Sequence, residues 1–317
     1  MDNNIIDTDM DELYLFSDKI LEMAAADRKD SRAPRIIIKV GSDIVSPGSA
    51  AQRNPREHYA IPAIANHVAY LHKKGVEIIL VTSGAVATGK KNVELKEAPH
   101  LSGTPTDEER KIVLKQAYAA IGQTKMMQAY EQAFAVHDLY VGQLLVTKTT
   151  FENESQRINT SDTIETLLHN NIIPIINEND TVATEEIKFG DNDPLSAQIA
   201  KEYKGDMVIK LTSSEGVINR SCEQVTQAGR TYEPGSVIEL VDDLEALRNA
   251  EVITCQTSVN GRGMSPVLDT AQLLMANNIP YIVIDGRKQQ CIKEFFEHNL
   301  KGTVFVPENH ILQRLLA

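Results

Sequence analysis

With 317 residues, 42% of them hydrophobic, the chain is long enough for one large α/β domain or two small ones. Its formal net charge of −12 supplies no broad basic face, which argues against nucleic acid as the main partner, and no apolar run approaches the ~18 residues that a membrane-spanning helix needs. The three cysteines are widely spaced and form no CxxC or Cys/His metal pattern, so we expect reduced thiols in a soluble, cytoplasmic protein.

Residues 1–33 differ in character from the rest of the chain. Residues 10–26 carry apolar side chains at helical spacing, behind an acidic lead that is unlike the basic start of a signal peptide. We predict that residues 1–33 form an appended arm with one amphipathic helix, which packs on the domain or on a neighbouring subunit. Residues 34–317 are expected to form the functional domain.

From Arg35 onward, short apolar strands alternate with helices. Strands are predicted at residues 36–40, 76–81, 140–147, 172–176, 207–211, 281–284 and 302–306. The connections include a polar surface excursion over 92–109, a helix beginning at Ser161 or Asp162, a helix over 194–203, and a hairpin or lid within 216–239. The alternation favours an α/β fold with one mostly parallel sheet covered by helices on both faces.

The first two predicted strands end in residues suited to an anion. Lys39 lies in the first strand just before Gly41 and Ser42, and a buried lysine is costly unless it meets an anion. A lysine that reaches water at the strand edge is an equally good interpretation. After the second strand, Ser83 and Gly84 precede a helix, a geometry that presents backbone N–H groups to an anion. Many βα turns share that pattern, and no Walker A motif is present.

The most informative stretch is residues 172–196, IIPIINENDTVATEEIKFGDNDPLS. A short apolar strand runs directly into residues 177–180, which are two asparagines and two acids, and residues 190–193 repeat this chemistry before a predicted helix. Open α/β sheets bind ligands at the carboxyl ends of their strands. Asn and Asp also dominate ordinary surface turns. Because two such clusters bracket one short segment, we favour a functional site.

Four runs carry a resemblance to a known family: IIIKVGSD, VTSGAVATG, KQAYAAIGQ and NENDTVATEEIKFGDNDPLSA. From about Arg35 to Val306 the chain resembles the amino acid kinase family, and within it the glutamate 5-kinases. The resemblance implies a three-layer αβα sandwich that uses ATP and Mg²⁺. The implied reaction phosphorylates the γ-carboxylate of L-glutamate to glutamyl 5-phosphate, the first step of proline biosynthesis.

The same resemblance implies roles for individual residues. Lys39 would neutralise charge on the transferring phosphoryl group, and Asp191 and Asp193 would orient Lys39 or the metal. Asp180 would suit the substrate's ammonium group, while Asn192 can both donate and accept. The positions that match the glutamate site are Ser83, Gly84, Asp180 and Asn192. Those that match the nucleotide site are Lys39, Gly41, Ser42, Thr212, Ser213, Gly261, Gly263 and Met264, with backbone N–H groups offered by Gly41, Ser42 and Gly84.

The chain departs from the family on the nucleotide side. The family's Leu-Thr-Asp strand end is here Leu-Thr-Ser, with Ser213 in place of the acid, and the lysine of the family's glycine-rich loop becomes Val267. Loss of a positioned cation commonly costs ~10²–10³ in rate. Arg262, in the same loop, can replace the charge as a catalytic residue. Lys210, in the preceding strand, is a second candidate, although a lysine reaching water at a strand edge also explains it.

Three functional hypotheses are open, of which a kinase for another carboxylate or for carbamate is the least favoured, because the run NENDTVATEEIKFGDND resembles the glutamate 5-kinases. The favoured one is a working glutamate 5-kinase with a remodelled nucleotide site, because Lys39 and residues 191–193 match the family. The alternative is a catalytically weakened homologue that binds glutamate or a partner subunit in a regulatory or structural role. The resemblance also implies a homo-oligomer, dimeric or tetrameric, and proline as feedback inhibitor acting on residues 159–163 and 182–189. The PUA domain of many bacterial members and the fused reductase of eukaryotic ones are expected to be absent.

Overall fold

The computed structural model describes residues 32–45, 60–96, 106–183, 192–219, 223–249, 265–288, 290–298, 302–308 and 310. The predicted helix of the N-terminal arm lies outside these residues. The strands are β1 (Arg35–Val40), β2 (Glu77–Val81), β3 (Tyr140–Val146), β4 (Ile172–Glu178), β5 (Met207–Thr212), β6 (Val225–Gln227), β7 (Arg230–Tyr232), β8 (Leu240–Val241), β9 (Tyr281–Asp285) and β10 (Gly302–Phe305). The helices are α1 (Ser42–Val45), α2 (Ala60–Lys73), α3 (Ala85–Asn92), α4 (Asp107–Ala135), α5 (Lys148–Glu152), α6 (Glu154–His169), α7 (Asn192–Glu202), α8 (Leu244–Asn249), α9 (Ser265–Met275) and α10 (Cys291–His298).

Eight of the strands form one sheet, in the order β3-β4-β2-β1-β5-β9-β10-β8. The pairs from β3 to β9 are parallel, and β10 runs antiparallel to β9. The central strands consist mainly of Ile, Val and Leu, interrupted by Lys39 in β1 and Lys210 in β5, because helices cover both faces of the sheet. The prediction of a mostly parallel α/β sheet is therefore confirmed.

The two faces of the sheet pack into two separate hydrophobic cores. In β1, Ile36 and Ile38 belong to the core under α2, α4 and α10, whereas Ile37 belongs to the core under α6, α7 and α9. This follows from the two-residue period of a strand, which sends alternate side chains to opposite faces. Helix, sheet and helix layers result, which is the αβα sandwich. Lys39 and Lys210 share a face with Ile37 and Val208, and so face the layer that contains α7.

Two predicted boundaries are wrong, and helix capping explains both. Helix α4 begins at Asp107, inside the predicted surface excursion, because Thr106 and Glu109 form a capping box. Helix α6 begins at Glu154 and not near Ser161, because the side chain of Asn153 accepts a hydrogen bond from the Gln156 N–H at 3.0 Å. The capping residues can be read in the sequence, but the first turn of each helix is polar and shows no apolar residues at helical spacing.

Two further predictions were closer to the structure. Helix α7 starts two residues before the predicted Pro194, so that Asn192 and Asp193 form its first turn. Strands β6 and β7 form the antiparallel hairpin expected within residues 216–239.

Within the described parts of the chain, no helix combines the length and the apolar character needed to cross a membrane.

The amino ends of the central strands are held by an ion network around the buried Arg35. Arg35, 1% exposed, donates to Glu77 on β2 and to Glu165 on α6 at 2.7–2.9 Å. Burial alone would lower the pKa of Arg35, but the hydrogen bonds to Glu165 and Glu77 outweigh it and the pKa is raised. The network lies at the amino end of the sheet, opposite to the carboxyl ends of the parallel strands.

Candidate active site

The sheet has a topological switch point at β1. Strand β1 lies between β2 and β5, so the chain leaves β1 towards one side of the sheet and later crosses to the other. Crevices at the carboxyl ends of strands on either side of such a point are where open α/β sheets bind ligands. The carboxyl ends of β1, β2, β4 and β5 and the amino end of α7 define the candidate site.

A pair of lysines around one aspartate forms the centre of this site. Lys39 Nζ lies 2.5 Å from Asp193 Oδ1, and Lys210 Nζ contacts Asp193 Oδ2. Asp193 is fully buried, and the two lysine side chains are 3% and 10% exposed. Both lysines come from strand positions directly opposite each other in the parallel pair of β1 and β5. The interpretation of Lys39 and Lys210 as strand-edge lysines that reach water is therefore wrong.

The charges of these three side chains sum to a single positive charge. Asp193 supplies one negative charge for the two ammonium groups, and burying an ionised group is costly unless opposite charge compensates it. An anion that enters at the carboxyl ends of β1 and β5 would be attracted by both lysines. The group therefore has the character of an anion site in a poorly hydrated part of the protein, where electrostatic interactions are strong.

A chain of amide side chains lies beside the lysine pair. The Nδ2 of Asn192 donates to the backbone carbonyl of Thr82 and to Asn177 Oδ1, the latter at 2.8 Å. Asn177 Nδ2 in turn donates to Gln123 Oε1 at 2.7 Å. These bonds tie α7 to β2, β4 and α4, and they use both N–H groups of the Asn192 side chain. With both N–H groups engaged, the Asn192 side chain offers only Oδ1, an acceptor, to a ligand in this arrangement.

The turn after β2 places Ser83 and Gly84 at the same edge. The Oγ atom of Ser83 is buried and has no hydrogen-bond partner among the described residues. Gly84 adopts φ 104° as the N-cap of α3, a left-handed conformation that suits glycine. An unsatisfied buried hydroxyl is costly in a folded protein, so Ser83 fits a polar ligand at this point.

Close helix packing fixes the position of that turn. A Cβ atom at Gly122 on α4 would lie 1.8 Å from the Ala85 carbonyl oxygen, and one at Gly89 on α3 would lie 2.0 Å from the Tyr118 carbonyl oxygen. The two glycines let α3 and α4 approach with their backbones in contact. On the same side, the Thr82 hydroxyl is 2.8 Å from the buried Tyr130 hydroxyl. The contacts hold the end of β2 and the start of α3 in place.

The nucleotide side differs from expectation in two ways. Gly41 lies directly after β1, but its N–H donates to the Leu211 carbonyl at 3.2 Å, so this N–H is not offered to a phosphate as predicted. Ser42 begins α1, and Thr212 ends β5. Ser213, which stands where the family has an acid, donates through Oγ to Asp43 Oδ2 at 2.6 Å. A carboxylate is thus present beside position 213, supplied by α1.

Of the remaining predicted site residues, some lie within the residues that the structure describes and others lie outside them. Asp191 and the loop residues Gly261, Arg262, Gly263 and Met264 lie outside the described residues. Asp180 is described, and lies in the turn that follows β4. Val267, on α9, is 8% exposed and packs into the hydrophobic core with Leu268 and Ala271, so this position supplies no cation to the site.

Some residues of the site were missed or undervalued by sequence reasoning. Asn177 belonged to a recognised polar cluster but received no role, and Gln123 and Asp43 were not singled out. One usable signal existed for Lys210: it occupies the same place in MVIKLT as Lys39 does in IIIKVG, one residue before the last apolar residue of a buried strand. Gln123 is the last residue of the run KQAYAAIGQ, but only the packing of α4 shows that it meets Asn177.

The fold, with buried cations at its switch point, is that of an α/β protein whose candidate site suits an anionic group. The amino acid kinase family matches residues 34–285 of the sequence. The glutamate 5-kinase of Syntrophus aciditrophicus is 36% identical over 281 residues, which are 88% of this chain and 67% of that protein. The glutamate 5-kinase of Clostridium acetobutylicum is 33% identical over 279 residues, 88% of this chain and 97% of that protein. The chain belongs to the amino acid kinase family.

Solved structures of low sequence identity share the fold. An N-acetylglutamate synthase from Neisseria gonorrhoeae matches with a TM-score of 0.62 and 12% identity, over 94% of this chain and 63% of that chain. The UMP kinase of Ureaplasma parvum matches with a TM-score of 0.53 and 16% identity, over 87% of this chain and 99% of that chain. These likenesses confirm the three-layer fold that the sequence predicted.

Proposed function

We propose that this chain is a glutamate 5-kinase, which transfers the γ-phosphoryl group of ATP to the γ-carboxylate of L-glutamate. The observation that carries the proposal is the buried contact between Lys39 and Asp193 at the carboxyl end of the central strand. Two relatives at 33–36% identity that match 88% of the chain bear the name glutamate 5-kinase. The product would be glutamyl 5-phosphate, which enters proline biosynthesis.

The reaction needs positioned charge more than proton transfer. An oxygen of the γ-carboxylate attacks the γ-phosphorus, a new oxygen–phosphorus bond forms, and the bond to the β–γ bridging oxygen breaks, which releases ADP. A carboxylate is already deprotonated, so no general base is required. Negative charge accumulates on the transferring group, and Lys39, held by Asp193, stabilises it in a site of low polarity.

Glutamate is held on the β2 and β4 side of Lys39. Asn192 accepts through Oδ1 from the substrate's ammonium group, since its N–H groups are engaged with Thr82 and Asn177. The hydroxyl of Ser83, which is buried and has no hydrogen-bond partner among the described residues, donates a hydrogen bond to a carboxylate of the substrate. Asp180 adds a negative charge that favours the ammonium group.

ATP lies on the β5 side, next to Thr212, Ser213 and Asp43. Mg²⁺ supplies charge neutralisation when it is bound, and it enters with the phosphates of ATP. Among the described residues, no group of three or more His, Cys, Asp or Glu side chains is arranged to hold a metal. That observation fits a metal whose ligands are mostly phosphate oxygens and water, as is usual for Mg²⁺ at nucleotide sites.

The further properties implied by the resemblance are part of the same proposal. We extend the proposal to a cytoplasmic homo-oligomer that proline inhibits on the glutamate side of the site, as the resemblance to the glutamate 5-kinases implies. The segment over residues 159–163 lies within α6, away from its ends, so a response to proline there would involve a helix and not a loop.

The test is a hydroxamate assay with L-glutamate, MgATP and hydroxylamine, which traps an acyl phosphate. The parent protein should form the hydroxamate, and aspartate or N-acetylglutamate in place of glutamate should yield little. Lys39→Met should lose about 10²–10³ in rate, as expected for removal of one positioned donor, whereas the exposed Lys201→Met should match the parent. Glutamate binding by calorimetry without any hydroxamate would replace the proposal with the non-catalytic alternative.

A further inference from the structure

Lys39 and Lys210 form a matched pair across two neighbouring strands. Their Cα atoms are register partners in the parallel ladder of β1 and β5, and their side chains lie on the same face of the sheet. Adjacent strands are only about 4.8 Å apart, so two lysines so placed repel each other unless an anion lies between them. Asp193 provides that anion from the first turn of α7.

This arrangement holds more positive charge than Asp193 balances. Lys39 alone would make a one-to-one ion pair with Asp193. The addition of Lys210, itself 8% exposed, leaves the three groups with one excess positive charge. Two lysines that converge on one carboxylate at the ligand-binding edge of the sheet are typical of a site that binds an anionic ligand or transition state.

The position that supplies a second cation in the family does not do so here. Residue 267 is a valine whose side chain is buried in the apolar core with Leu268 and Ala271. A lysine at this position would have to leave that core to reach the site. Lys210 instead approaches the same aspartate as Lys39, from the neighbouring strand of the sheet.

We propose that Lys210 is a second catalytic cation of this enzyme, which contacts the transferring phosphoryl group together with Lys39. This inference rests on the proposed kinase function. In the reaction, Lys210 transfers no proton and forms no bond. It stabilises the negative charge of the phosphoryl group as the oxygen–phosphorus bond to ADP breaks and the bond to the glutamate carboxylate forms. The cation has thus moved from the glycine-rich loop to strand β5.

The first experiment compares Lys210→Met, Lys210→Arg and Arg262→Met with the parent in the hydroxamate assay. Lys210→Met should lower kcat by about 10²–10³-fold while the KM for glutamate changes less than about threefold, because the interaction is made in the transition state. Lys210→Arg keeps the charge and should retain more activity than Lys210→Met. Near-parent kcat in Lys210→Met, with the loss found in Arg262→Met instead, would overturn the proposal in favour of the loop arginine.

Thermal stability separates a catalytic from a structural role. In Lys210→Met, Asp193 keeps its contact with Lys39 although its Oδ2 loses the Lys210 donor, so the Tm should stay within a few degrees of the parent value. A lysine retained to hold the fold would instead give a lower Tm and weaker binding of both substrates. Lost activity with preserved or increased Tm supports the proposal, and a joint loss of activity and Tm contradicts it.

A binding measurement tests Lys210 even if the parent shows no turnover. MgADP with aluminium fluoride mimics the transferring phosphoryl group, and its affinity can be measured by calorimetry with and without glutamate. Lys210→Met should bind this mimic at least about tenfold more weakly than the parent, while MgADP alone should bind with similar affinity. Equal affinity of the two proteins for the mimic would refute a role for Lys210. Absence of hydroxamate with a preserved difference in affinity would count against the proposed function only.

Discussion

The carboxylate of Asp193 contacts the ammonium groups of two lysines, Lys39 at 2.5 Å and its register partner Lys210. The aspartate lies in the first turn of α7 and is completely buried. It therefore connects the helix layer to the two central strands of the sheet. The position of both cations depends on this one side chain.

Replacement of Asp193 by asparagine should be strongly destabilising. The change leaves two buried ammonium groups without their shared carboxylate, and breaking a buried ion pair in this way commonly costs about 3–5 kcal/mol. Urea denaturation should report the loss as a lower midpoint. The same substitution at the exposed Asp162 on α6 should change the free energy of unfolding by less than about 0.5 kcal/mol. Equal effects at the two positions would contradict the ion-pair arrangement.

The contact between α3 and α4 predicts a large effect of one added methyl group. In Gly122→Ala, the new Cβ would meet the Ala85 carbonyl oxygen at 1.8 Å, and a backbone atom cannot rotate away. We expect a destabilisation of about 3 kcal/mol or more, at the upper end of overpacking costs, together with lost activity because Ser83 and Gly84 are displaced.

Gly142→Ala is the matched control for this prediction. Its Cβ would lie 2.9 Å from methyl groups of Leu167, which are the flexible end of a side chain. The cost should stay under about 1.5 kcal/mol. Thermal and urea denaturation of both variants give the comparison, and similar costs would show that the helices separate more easily than their packing implies.

The buried pair of His67 and Cys291 predicts a pH dependence of stability. His67 Nε2 lies 3.2 Å from Cys291 Sγ, and burial lowers the pKa of His67 from 6.5 to about 4. Burial likewise raises the pKa of Cys291 to about 12, so the thiol stays protonated. Both groups are therefore neutral in the folded protein at neutral pH.

The sign of this effect follows from proton linkage. Between pH 6.5 and about 4 the unfolded chain binds a proton at His67 that the folded protein excludes, so the free energy of unfolding falls as the pH falls through this window. From pH 7 to pH 5 the contribution is about 2 kcal/mol. The His67→Gln variant should lose this part of the pH dependence, while His169→Gln, at an exposed position, should keep it. Urea denaturation at the two pH values measures the difference.

The hydrogen bond between Ser213 and Asp43 predicts a reciprocal effect on nucleotide binding. Asp43 places a carboxylate where the family has an acid at position 213. Ser213→Asp alone puts two carboxylates at hydrogen-bond distance, and their repulsion should raise the KM for MgATP several-fold. Asp43→Ser alone removes the carboxylate and should also raise that KM. The double variant, which exchanges the two residues, should recover most of the parent value in steady-state kinetics, whereas additive losses would show that the two positions act independently.

Sequence reasoning succeeded where the signal is local. Largely apolar runs such as IIIKV and MVIKL identified the central strands, because strands covered on both faces are mostly hydrophobic. The polar residues after β4 identified the edge of the sheet that carries the site. Sequence reasoning failed at the start of α6, where Asn153 caps the helix. The first turns of this helix are polar, so no apolar residues at helical spacing mark them.

The sequence by itself determined the αβα architecture and the family, because strand and helix periods and the long polar motif are properties of neighbouring residues. Only the tertiary structure decided which lysines contact the same carboxylate. Lys39 and Lys210 are 171 residues apart in the chain, and the β1–β5 register brings them onto one aspartate. The same holds for Asn177 with Gln123 and for Ser213 with Asp43. Contacts of this kind depend on sheet order and helix packing, which no local pattern encodes.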